Sequence, residues 1–141
     1  MPFEDLPSHL EDILDAIQEM QTFISGKSYE DYLDDTMLRL ALERCVEIVS
    51  EASRHVPAGM KANHPDVPWK RVADIGNVLR HAYRSIDPHI IWEVATDHVT
   101  PLRKAAERML AEIERDQQGW RAPDHLGFSS MPTFRLTNCS V

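Results

Sequence analysis

The chain has 141 residues, 43% hydrophobic and 27% charged, which suits one domain around one core and is a globular composition rather than a disordered one. A formal net charge of −8 makes it a poor non-specific binder of nucleic acid, so any RNA it handles must meet a local basic patch or arrive with a partner's help. With two cysteines, Cys45 in an apolar helical stripe and Cys139 near the end of a polar stretch, no disulfide framework is expected and a reducing cytoplasm fits.

The first 25 residues carry Glu4, Asp5, Glu11, Asp12 and Asp15, unlike a secretory or transit peptide. A first helix is predicted from near Pro7, capped by Ser8 with Glu11 completing a capping box. Leu10, Ile13, Leu14, Ile17 and Ile24 keep a helical period, and Gly26 ends it. Tyr29, Tyr32 and Leu33 lie in a short acidic connection of about one helical turn. A second helix is predicted from about Asp35 to about His55. Leu38, Leu42, Cys45, Val49, Ala52 and Val56 form its stripe, and Ala41, Val46 and Ile48 widen the arc enough for packing on more than one side. Pro57, Gly59, Pro65 and Pro68 mark 57–68 as a loop.

A third helix is predicted from about Trp69 to about Tyr83. Asp87-Pro88 reads as the cap and first position of a fourth, which carries Ile91, Val94, His98, Leu102, Ala105, Met109 and Ile113. Pro101 should kink or split that helix. From Gly119 the periodicity stops. The organisation read from the pattern is a helical domain over 1–118 and an extended or partly disordered tail over 119–141. The fold class is all-α, an antiparallel up-and-down four-helix bundle. No apolar run approaches the roughly 20 residues a membrane span needs.

The third helix carries the chemistry. At about 100° per residue, Gly76, Asn77, Arg80, His81, Tyr83 and Arg84 share an arc of about 160°, while Ile75, Val78, Leu79 and Ala82 take the opposite side. The first face is predicted to be wet. A helix face of this kind is ordinarily only solvated, but this one is rich in recognition residues rather than Glu and Lys. His suits proton transfer near neutral pH, and Arg suits binding a phosphate or stabilising its charge.

Trp69, then Ile75-Gly76-Asn77-Val78-Leu79-Arg80-His81-Ala82-Tyr83, then Ile86-Asp87 and Ile91-Trp92, resemble the HepT-like toxins of the HEPN superfamily. The early Leu-x-x-Ile-Leu-x-x-Ile helix and the Glu51-Ala52 pair extend the resemblance over most of 7–116. It implies a HEPN helical bundle that forms a homodimer, with motif helices facing across a cleft, and metal-independent RNA cleavage. The family motif is Arg, four to six residues, His, any residue, Tyr. His81 takes the catalytic position, Asn77, Arg80 and Arg84 stand beside it, and Tyr83 is the motif tyrosine. Gly76 departs from the motif where the Arg would fall; Asp74 and Ile75 occupy the other allowed spacings, and Arg80, Arg84 or Arg71 would substitute. The resemblance further implies a minimal nucleotidyltransferase as antitoxin partner, which adds AMP to Tyr83. The alternative is a degenerate HEPN module that binds this partner or RNA without cleaving.

No other chemistry competes. The seven histidines include no His-x-x-x-His pair, so neither a metal site nor a cofactor is expected. No Gly-x-Ser-x-Gly elbow or phosphate-cradling glycine loop is present. His98 is expected to be a core histidine, and the acidic face of Glu11, Asp12, Asp15 and Glu19 to be solvated.

Overall fold

A computed structural model describes residues 5–81 and 86–119. Every regular element among them is helical: α1 (Leu6–Ile24), α2 (Tyr29–Asp34), α3 (Thr36–Ser53), α4 (Ala58–Lys61), α5 (Trp69–His81), α6 (Pro88–Glu93), a π-helical segment (Val94–His98) and α7 (Val99–Gly119). The chain divides into two compact units, Met1–Leu110 and Ala111–Val141; in the second, the described residues are the closing turns of α7. The predicted tail beyond Gly119 lies outside the described residues, as do the predicted last positions of the third helix, Ala82 and Tyr83.

Helix α1 begins one turn earlier than Ser8 would set it. Asp5 is the N-cap residue, without a side-chain cap bond, and Pro7 sits in the first two helical positions. Proline lacks an N–H and has its φ preset for this place, so it starts the helix and leaves Ser8 inside the first turn. The capping box foreseen at Ser8 is therefore absent. One does form at α2, where Asp31 N–H donates to Ser28 Oγ and Ser28 N–H to the Asp31 carboxylate. At the other end of α1, Gly26 adopts φ +73°, the left-handed turn that ends helices at glycine.

The core runs through α1, α3 and the π/α7 region. Leu10, Ile13, Ile17 and Met20 of α1 meet Leu42, Cys45, Val46 and Val49 of α3, all buried, with Val99, Leu102, Ala105 and Met109 on α7. The stripe foreseen on α3 is buried throughout, from Leu38 to Ala52 and on to Val56. Asp35 caps this helix by accepting from Leu38 N–H. The 57–68 link holds more order than a loop: Pro57 caps the single turn α4.

Pro101 is accommodated by a change of helical pitch. The π-helical segment Val94–His98 precedes it, and Val99 N–H donates to Val94 O. The Pro101 ring would crowd the carbonyl four residues back, at Asp97, and offers no donor there. The wider π turn moves that carbonyl out of α register. His98, the last π residue, is half-buried on a groove wall rather than in the core.

Candidate functional site

Helix α5 is anchored at its start by Trp69. The indole Nε1–H donates to His64 O at 3.1 Å, and Lys61 lies 5.6 Å over the ring. Along its length α5 packs on α3. Val72, Gly76 and Leu79 are the buried positions, so the packed face runs through Gly76 and not through Val78. This corrects the helical-wheel expectation, which set Gly76 among the wet residues and Val78 in the core. Val78 is 41% exposed.

The reason is a close approach of the two helices. Ser50 is buried on α3; its Oγ donates to Ala73 O at 2.9 Å and accepts from Gly76 N–H at 3.2 Å. A Cβ at Gly76 would lie 2.8 Å from Ser50 Cβ and overlap Ser50 Oγ. The absent side chain at the motif position is thus what lets Ser50 reach the α5 backbone. An Arg at this position has no room while Ser50 stays in place.

Three of the predicted site residues remain together on the exposed side of α5. Asn77, Arg80 and His81 are all exposed, and Arg80 Nη2 donates to Asn77 Oδ1 at 2.7 Å. Tyr83 and Arg84 lie outside the described residues. Arg71 lies elsewhere. It lines, with Asp74, Ile75 and Val78, an apolar groove of about 250 Å³ between α5 and the α6–α7 region, so it does not join Arg80.

Neighbours that composition and periodicity did not reveal complete the surroundings. Glu51, on α3, places Oε1 3.7 Å from Arg80 Nη1 and Oε2 3.5 Å from His55 Nε2. His55 stacks on His9 of α1, with ring centroids 4.0 Å apart and planes 5° from parallel. Arg54 Nη2 donates to Ala73 O at 2.7 Å. Residues 54–81 hold five Lys/Arg against two Asp/Glu, in a chain whose net charge is −8. The window is a local excess of cations along an acidic chain, although Arg71 lines the groove and Lys70 pairs with Asp74 at 2.7 Å. The pair Glu51-Ala52 was legible only as part of a resemblance; the contact between positions 51 and 80 has no local signal.

Among the described residues no group of three or more His, Cys, Asp or Glu side chains is arranged to hold a metal ion. No helix among them is long and apolar enough to cross a membrane. Cys45 is a buried free thiol whose pKa burial pushes up, so it is poorly suited to nucleophilic work.

Fold and site together define an all-helical protein that displays an imidazole, a guanidinium and a carboxamide from one short amphipathic helix. The chain belongs to the family described as Ribonuclease HepT-like, whose model matches residues 13–109. It is 33% identical over 101 residues to "Probable ribonuclease HepT" of Thermococcus cleftensis, covering 72% of this chain and 92% of that one. It is 28% identical over 114 residues to "Putative RNase MJ1216" of Methanocaldococcus jannaschii, covering 81% and 94%. A third relative, "Putative RNase TTE0752" of Caldanaerobacter subterraneus, is 32% identical over 102 residues, covering 72% and 91%. No solved structure matches the chain.

Proposed function

We propose that this chain is a metal-independent endoribonuclease, the toxin of a cytoplasmic toxin–antitoxin pair. The observation that carries the reading is the exposed Asn77–Arg80–His81 group on the motif helix of a chain whose relatives are named as ribonucleases. In this reading an imidazole takes the proton of a ribose 2′-OH, and the 2′-oxygen attacks the adjacent phosphorus. The bond to the 5′-oxygen then breaks, and that oxygen leaves with a proton from a second acid. Arg80, with Arg84, holds the phosphate as charge develops on it. His81 supplies one imidazole, and a homodimer supplies the second copy. The helical domain over 1–118 is read as an antiparallel four-helix bundle of α1, α3, α5 and α6–α7, with 119–141 as a separate tail.

The partner is a minimal nucleotidyltransferase. The Tyr83 phenol attacks the α-phosphorus of ATP, pyrophosphate leaves, and the AMP group sets bulk and negative charge beside the arginines that RNA needs. A second reading is favoured by one observation: Ser50 fills the space an Arg at Gly76 would use. With the motif Arg unavailable, the chain is then a module that binds RNA or the nucleotidyltransferase without cleaving.

One preparation separates the two. Purified protein incubated with single-stranded RNA in EDTA is expected to give fragments, and His81→Ala to reduce the rate about 10²–10⁴-fold. RNA that stays intact yet is retained by the wild-type protein, or a protein that instead captures the nucleotidyltransferase, supports the binding module. The same protein, incubated with the nucleotidyltransferase and ATP, should gain one AMP on the peptide holding Tyr83; an unmodified tyrosine removes that regulation.

A further inference from the structure

The Glu51 carboxylate stands between a guanidinium and an imidazole. One oxygen faces the Arg80 guanidinium from 3.7 Å, and the other faces the His55 imidazole from 3.5 Å. Both separations exceed the usual range of a charge-assisted hydrogen bond, so neither contact is tight. The Glu51 side chain is 57% exposed and free to swing into solvent. The two receiving groups are better fixed. Asn77 Oδ1 holds the other Arg80 nitrogen at 2.7 Å, and the His9 ring lies flat against His55. The frame beneath is rigid, because Ser50 and Arg54 both bind the Ala73 carbonyl and hold α5 on α3.

A loosely held carboxylate between a guanidinium and an imidazole resembles a phosphodiester in charge and in what it offers them: a negative charge shared over two oxygens. We infer that Arg80 and His55 form an RNA phosphate-binding site bridging α5 and α3, in which Glu51 occupies the phosphate position until RNA displaces it. The site deepens the ribonuclease reading by naming where a phosphate of the strand rests. It requires no cleavage. Glu51 is then a competitor and not a support, which fixes the sign of its substitution.

The test uses the full chain and a labelled single-stranded 2′-O-methyl RNA, which cannot be cleaved through its 2′-oxygen. Glu51→Gln is expected to tighten binding about two- to fivefold at low salt, the size of an exposed charge pair. Glu107→Gln removes the same charge from an exposed position on α7 and sets the background. In the Glu51→Gln chain, adding His55→Ala or Arg80→Ala should cancel the gain, and the His55 imidazole nitrogen signals should shift as RNA is added to the wild type. The site is overturned if Glu51→Gln binds no better than Glu107→Gln, if it binds worse, or if the gain survives loss of His55. Cleavage of ordinary RNA by the same proteins separates this from the ribonuclease reading. Tighter binding with no cleavage keeps the site and removes the enzyme; cleavage with no change in binding keeps the enzyme and removes the site.

Discussion

At Gly76 two residue-scale effects oppose each other, and their sizes decide the outcome. Replacing a mid-helix glycine by alanine ordinarily stabilises by up to about 1 kcal/mol through helix propensity. Here the new Cβ would press on Ser50, whose Cβ is 2.8 Å away and whose hydroxyl is bonded on both sides. Overpacking of that kind costs about 1–3 kcal/mol, so Gly76→Ala should destabilise the chain despite its better propensity. Ser50→Gly removes the obstructing atoms, and in that background Gly76→Ala should become neutral or stabilising. Urea denaturation of the four proteins as a double-mutant cycle measures the coupling. Additive free energies would show that Ser50 does not set the glycine. The sequence pointed to Gly76 as the departure from the motif. It could not show which element approaches, because positions 50 and 76 meet only through tertiary packing.

Elements show the same division between local and long-range information. Stretches with strong periodicity, such as Leu38 to Val56, were legible as buried stripes because a 3.6-residue repeat needs no knowledge of the partner. The face of α5 was misread for the opposite reason. Glycine carries no hydropathy, and Ile75 and Val78 line an open groove instead of the core, so polarity alone placed the packed side wrongly. Element α2 offers a prediction of its own. Tyr32 is buried, and its hydroxyl has no hydrogen-bond partner among the described residues. Burial, with Glu43 second, pushes its pKa from 10.0 up to about 12. A phenol with a raised folded pKa contributes no pH dependence below the unfolded value. Above it the unfolded chain loses its proton first, so stability falls between pH 10 and about 12. Integrated over that window the loss is about 2–3 kcal/mol. Tyr32→Phe should leave stability at pH 8 equal or higher, since an unpaired buried hydroxyl is removed, and should flatten the alkaline fall. Denaturation curves from pH 8 to 12 compare the two proteins; an equally steep fall in the Phe variant would show that other groups cause it.

The whole molecule must solve a charge problem that no single residue solves. A chain at −8 repels RNA at long range, and the local surplus of cations in 54–81 is small. Each phosphate neutralised on a single strand contributes roughly −0.7 to the slope of log affinity against log salt. One protomer offering Arg80 with one or two neighbours therefore binds weakly and with a shallow slope. In the proposed homodimer, two motif helices facing each other would double the cations along one strand and would bring a second His81 to complete the proposed acid–base pair. The proposed ribonuclease then depends on assembly: at protein concentrations below the dimer dissociation constant, the cleavage rate should rise with about the square of concentration, and the salt slope of binding should roughly halve on dilution. Cleavage timed across a dilution series, beside sedimentation of the same samples, reads both. A rate strictly proportional to concentration through the range where sedimentation shows dissociation would place the whole reaction on one chain. The stacked His9 and His55 of the same protomer would then be the nearby imidazoles to test as the second acid.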